Sequence, residues 1–206
     1  MHIQLDQVSK RYRFEWIFKN ISHTFQQGQS YAISGPNGSG KSTLLKILSG
    51  HLTPSKGTLA FQNQSNRIDP DDIYRLISFC APYIELIEEL TLLEAIRFHQ
   101  KFKPFQQNLS SADLLDLLAL PKADHKAIRH FSSGMKQRLK LLLAICAETP
   151  ILLLDEPTSN LDRQGMDWYR NLIARFGDNR LIVVASNIEE DYTFCQHHLS
   201  ILDFKK

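Results

Sequence analysis

Gly35, Gly40, Lys41 and Ser42 occupy the fixed positions of the pattern G-x-x-x-x-G-K-[ST], with Pro36, Asn37, Gly38 and Ser39 between them and Thr43 behind. The chemistry this spacing supports is polyphosphate binding. Glycines at 35, 38 and 40 let backbone N–H groups face an anion, Lys41 supplies a cation for β- and γ-phosphate oxygens, and Ser42 offers a hydroxyl to Mg²⁺. Ser30–Ser34 reads as a short apolar strand before the loop. Leu44, Leu45, Ile47 and Leu48 recur at helical spacing after it, until Gly50 stops the helix. The strand, loop and helix together give the pattern its meaning, because a helix N-terminus favours anions.

A second group of residues completes this chemistry. The apolar run 151–154 reads as a buried strand that delivers Asp155 and Glu156 at its C-terminal end. Asp155 is expected to hold Mg²⁺, directly or through water, and Glu156 to polarise the water that attacks a γ-phosphate. A third group, Phe131-Ser-Ser-Gly-Met-Lys-Gln-Arg138, directly precedes an apolar helix containing Leu139, Leu142, Leu143 and Cys146. Alone it would be only a helix start. It lies 23 residues before Asp155, counted from Ser132, and Asp155 itself opens the run Asp155-Glu-Pro-Thr-Ser-Asn-Leu-Asp162.

In this combination the chain resembles ATP-binding-cassette (ABC) ATPases over nearly its whole length. The resemblance implies that Ser132 and Gly134 of the signature contact the γ-phosphate of ATP bound to an opposite subunit, with Asp162 at the dimer interface. Tyr12 lies near the usual position of the aromatic that stacks on adenine, and Phe14 and Trp16 are alternatives. Two positions depart from the family. Its Q-loop glutamine falls on Pro82, which cannot replace that ligand, although Glu85 stands nearby. Its γ-phosphate histidine falls on Asn187, whose amide can donate a hydrogen bond but cannot carry an imidazolium's charge. The expected catalytic set is therefore Glu156, Lys41 and Asn187, with slower or differently coupled hydrolysis.

These residues need a scaffold that brings them together. Ile3, Leu5 and, after a shift of phase, Val8 suggest a strand that pairs antiparallel with a stretch at 16–25. Further strands are expected at 57–62, 76–80 and Leu181–Ser186, and helices at 111–120, 133–147 and 166–176. The 111–120 helix is expected to end before Pro121. Thr91 and Glu94 have capping-box spacing and start another helix carrying Ala95, Ile96, Phe98 and Phe102. The fold class is α/β: a P-loop NTPase core with a largely parallel sheet, an N-terminal antiparallel β subdomain and an inserted α-helical subdomain at about 84–147. One nucleotide-binding domain over 1–206 is expected.

Composition bounds the remaining possibilities. With 206 residues, 43% hydrophobic and 22% charged, the chain can pack a core, which excludes wholesale disorder and fibrous repeats. A net charge of +2 gives no general electrostatic case for a nucleic-acid partner. Three scattered cysteines argue for reduced thiols rather than disulfides or zinc. No export signal is visible, and the longest apolar runs fall short of the about 18 residues that span a bilayer. The expected partners are a second ABC subunit, identical or different, and separate transmembrane permease subunits that hold the chain peripherally on the cytoplasmic face. The signature and D-loop oppose a kinase or GTPase. The length resembles short single-cassette exporter subunits, haem exporters among them. The alternative is an ATP-gated scaffold with little hydrolysis, suggested by Pro82 and Asn187.

Overall fold

The apolar alternation at the N-terminus forms a long hairpin. The computed structural model describes residues 1–63, 66–120 and 123–205 and divides into two compact units. The first comprises Met1–Phe79, Pro150–Glu156 and Asn179–Lys206. In it β1 (His2–Tyr12) and β2 (Glu15–Gln26) pair antiparallel, with Ile3 opposite Phe25 and Val8 opposite Ile21. The phase shift in the sequence is a register irregularity between Leu5 and Val8, where Gln7 takes φ +50°. It returns Val8 to the buried face.

Beyond β3 (Ser30–Ser34) and α1 (Lys41–Leu48), β4 (Lys56–Asn63) pairs with the free edge of β1, and short β5 (Asn66–Arg67) follows. This sheet is ordered β2-β1-β4-β5. A short helix, α2 (Ile73–Leu76), precedes β6 (Ile77–Cys80). Leu76, expected to open that strand, instead ends this helix. Asp69 starts the preceding turn by accepting the Asp71 N–H at 2.9 Å, and buried Ile73 anchors the helix in the core.

The remaining strands of the unit are β7 (Ile151–Asp155), β8 (Leu181–Ser186) and β9 (His197–Ser200). They form a second sheet ordered β6-β7-β8-β3-β9, in which β3 runs parallel to β8 and β9, and β7 parallel to β8. Every residue of β7 and β8 is buried, as expected of strands covered on both faces. Leu44, Leu45, Ile47 and Leu48 of α1 are fully buried in one core with Phe18, Phe25 and Phe61 of the first sheet and Ile33, Leu153 and Val183 of the second. Burying one such leucine is worth roughly 1.5–3 kcal/mol, so α1 is strongly fixed. The register then sets the site. Ser34 lies opposite Ser186, and Asp155 opposite Ala185, so Gly35, Glu156 and Asn187 all leave one edge of the parallel sheet.

The second unit comprises Cys80–Thr149 and Pro157–Asp178. Its helices are α3 (Leu92–Gln100), α4 (Ser111–Leu118), α5 (Ser133–Cys146) and α6 (Arg163–Phe176). The Thr91 and Glu94 capping box is formed, and Ser110 and Asp113 form a second one on α4. Ala119 ends α4 at φ +51°, and Pro121 lies outside the described residues. Phe98 and Phe102, both expected on the helix that starts at Thr91, are exposed and meet edge to face at 5.1 Å. α3 stops at Gln100, so Phe102 cannot share its buried face. Gln106 donates to the carbonyls of Ile145 and Phe176, at 3.0 and 3.2 Å, and ties together the ends of α5 and α6. Among the described residues no helix is long and apolar enough to cross a membrane.

Candidate functional site

The loop between β3 and α1 is shaped by packing as much as by conformation. Gly35, Gly38 and Gly40 take φ +150°, +75° and +106°. A Cβ on Gly35 would lie 2.6 Å from Ile201 Cγ2, and one on Gly40 2.5 Å from Ile17 Cγ2. Gly38 has open space, so its backbone conformation alone favours glycine. Lys41 is buried, and its Nζ donates to the carbonyls of Gly35 and Pro36 at 2.9 and 3.1 Å, which centres the ammonium within the loop. No side chain caps α1 at Gly40, and the buried Ser39 Oγ has no hydrogen-bond partner. Uncapped helical N–H groups, a free buried hydroxyl and a centred cation fit a polyphosphate. Pro36 and Asn37 are exposed, and Ser42 and Thr43 are half-buried in the first turn of α1.

The two acids meet different surroundings. Asp155 is 1% exposed at the end of β7. Glu156 turns out of the strand at φ +44°, partly exposed, with its N–H donating to the Ala185 carbonyl at 2.8 Å. A left-handed non-glycine residue costs on the order of 1–3 kcal/mol, and such strain clusters at functional sites. Asn187 is exposed one residue beyond the buried end of β8. Ser186 Oγ donates to Asp191 Oδ2 at 2.5 Å and accepts the Ile188 N–H at 3.0 Å.

In the second unit Ser132 caps α5, its Oγ accepting the Met135 N–H at 3.2 Å. Gly134 lies where a Cβ would come 2.9 Å from the Asn160 carbonyl oxygen. Ser132, Gly134, Arg138, Asn160 and Asp162 line one cavity of about 380 Å³. Asp162 Oδ1 accepts the Gly165 N–H at 2.7 Å, which starts α6 one turn before the expected Met166. The Arg138 guanidinium lies 4.7 Å from the centre of the Trp168 ring. Burial pulls its pKa down, against the Asp162 carboxylate. Pro82 is exposed, and its carbonyl accepts from Lys140 Nζ at 3.1 Å; Glu85 is exposed as well.

Tyr12 pairs with Glu15 at the end of the β1–β2 hairpin and is 48% exposed, while Phe14 at the tip is 96% exposed. Trp16 is half-buried, with Arg11 and Lys56 each 5.5 Å from its ring centre. Sequence reasoning missed Gln137, which is buried and donates to the Pro157 carbonyl at 2.7 Å. The signal was there: it shares a helical stripe with buried Leu141 and Ala144. Asp191 was also missed, because nothing in the sequence marks a buried carboxylate in a short turn.

Residues 18–159 match the family described as ABC transporter. The lantibiotic transport ATP-binding protein SrtF of Streptococcus pyogenes is 30% identical over 194 residues, covering 90% of this chain and 80% of SrtF. The cytochrome c biogenesis ATP-binding export protein CcmA of Rhizobium meliloti is 30% identical over 189 residues, covering 90% of each. The uncharacterized ABC transporter ATP-binding protein YcbN of Bacillus subtilis is 29% identical, and this chain spans 55% of its length. Among solved structures, a dimeric post-hydrolysis state of the ATP-binding cassette MJ0796 bound to ADP and Pi superposes with a TM-score of 0.82. It is 25% identical, covering 96% of this chain and 93% of that one.

Proposed function

The chain belongs to the ABC transporter family as an ATP-binding subunit with ATPase chemistry, and we propose how its own residues perform that work. The observation that carries the reading is the register of β3, β7 and β8, which brings Gly35, Glu156 and Asn187 to one sheet edge. Gly35 to Thr43 wrap the phosphates of ATP with backbone N–H groups, and Lys41 exchanges its loop carbonyls for phosphate oxygens. Ser42 and Asp155 would hold Mg²⁺, which when bound neutralises charge on the β- and γ-phosphate oxygens. Glu156 orients and deprotonates the attacking water, and Asn187 donates its amide N–H to the γ-phosphate. Tyr12 offers its exposed ring to adenine.

A second cassette completes the site from outside. Ser132 and Gly134 at the N-terminus of α5 present helical N–H groups to the γ-phosphate bound by the partner, and Asp162 lies at that interface. Their shared cavity supports this role. Closure of two cassettes over ATP moves transmembrane permease subunits, which hold the chain on the cytoplasmic face of the membrane, and the two compact units act as one nucleotide-binding domain. A second reading, an ATP-gated scaffold with little turnover, is favoured by Pro82 and by uncharged Asn187. Sizing of the Glu156→Gln protein with and without Mg-ATP tests closure. A dimer that needs nucleotide is expected, and a species that stays monomeric with bound ATP contradicts homodimeric closure.

A further inference from the structure

Asn187 is exposed and its amide is uncharged, so long-range attraction to phosphate does little to aim it. A neutral hydrogen bond weakens steeply with misalignment, and the residue therefore depends on the backbone that carries it. That backbone is held by its neighbour. Ser186 is fully buried at the end of β8, and its Oγ accepts the Ile188 N–H at 3.0 Å, which closes a small turn around Asn187. The same hydroxyl donates to Asp191 Oδ2 at 2.5 Å.

Asp191 is also fully buried. A carboxylate there is tolerated only when hydrogen-bonded, and a hydroxyl donating to a carboxylate is among the stronger neutral-to-charged bonds. The bond has a direction. Ser186 has one hydroxyl proton, and once it is committed to Asp191 a lone pair is left to receive the Ile188 N–H. The turn at Glu189–Asp191 fixes the carboxylate in its own place, since the Asp191 N–H donates to the Ile188 carbonyl at 3.2 Å. The Cα of Ser186 faces Ser34, the residue before Gly35, so a shift of this turn moves Asn187 relative to the phosphate-binding loop.

We propose that Ser186 and Asp191 are positioning residues for turnover: their hydrogen bond holds the turn that presents Asn187 at the sheet edge beside Gly35. The proposal rests on Asn187 acting on the γ-phosphate, as read above. The test compares the full chain with Ser186→Ala, Ser186→Thr, Asn187→Ala and the double variant Ser186→Ala with Asn187→Ala. It measures kcat and KM for Mg-ATP together with hydrogen exchange of the Ile188 amide. Ser186→Ala is expected to lower kcat about tenfold with KM within about twofold, and to speed Ile188 exchange. Ser186→Thr, which keeps the hydroxyl, is expected to restore both. In the Asn187→Ala background Ser186→Ala should cost nothing more, because the two act as a unit. Equal losses in both backgrounds, or an unchanged Ile188 exchange rate, would overturn the proposal while leaving Asn187 in its role. Full turnover in Asn187→Ala would instead remove the role of Asn187, and the proposal with it. Asp191→Leu, which keeps the branched shape but has no acceptor for the Ser186 hydroxyl, gives the same comparison if Ser186→Ala does not fold.

Discussion

The backbone N–H of Glu156 donates to the carbonyl of Ala185 at 2.8 Å while Glu156 holds φ at +44°. β7 is thus pinned to β8 at the point where it turns, and two adjacent carboxylates receive different environments. Asp155 keeps the strand conformation and stays buried, whereas Glu156 emerges into partial exposure. The same strained residue separates the acid proposed to hold the metal from the one proposed to orient water.

The loop glycines differ in what they resist. Gly40→Ala meets both φ +106° and a 2.5 Å contact with Ile17, and is expected to destabilise the protein by about 2–3 kcal/mol. Gly38→Ala meets only φ +75° and should cost about 1 kcal/mol. Urea unfolding of both variants checks the order, and equal losses contradict it.

Ser132 is assigned both a structural and a binding role, and two substitutions separate them. Ser132→Ala removes the cap of α5 and should cost about 1 kcal/mol. Ser132→Asp keeps a capping oxygen but sets a negative charge where a phosphate is expected. Its melting temperature should stay near that of the unsubstituted chain, while the ATP-dependent dimer is lost on sizing. A dimer that forms normally with Ser132→Asp removes the signature from the interface.

His99 gives a pH dependence of known sign. Its ring stacks on Phe105 at 5.5 Å, with Nε2 buried. Burial, with a smaller effect from Lys103, lowers its pKa from 6.5 to about 4. Folding therefore favours the neutral ring. The stability it contributes is whole above pH 6.5 and falls as pH drops towards 4, by at most about 1.4 kcal/mol per pH unit. Unfolding free energies at pH 7 and pH 5 should differ less in His99→Phe than in the unsubstituted chain, and identical differences contradict the assignment.

Asn187→His restores a group that can carry charge. Turnover is expected to rise, most of all below the usual histidine pKa of about 6.5, where the ring is an imidazolium. A pH–rate profile that matches that of the unsubstituted chain would show that residue 187 does not act on the γ-phosphate.

Much of the site was legible because its chemistry is local in sequence. The loop at Gly35 to Ser42 needs particular glycines, a lysine and a serine at fixed spacing, and β7 and β8 are unbroken apolar runs. Less legible were features whose cause lies far along the chain. β9 is a four-residue edge strand, half of it histidine, and only its pairing with β3 defines it. Leu76 satisfies helix and strand patterns alike, and the Asp69 turn before it decided the outcome. Asp162 was read for an interface, yet its carboxylate also starts α6. The partners of Gln106 and Asp191 exist only once helix ends and turns have been brought together.

The most direct measurement is steady-state Mg-ATP turnover by the full chain beside Glu156→Gln, once both are shown to bind nucleotide with similar affinity. Loss of the water-orienting carboxylate is expected to lower kcat by at least about a hundredfold. Equal turnover by the two proteins would contradict hydrolysis through Glu156.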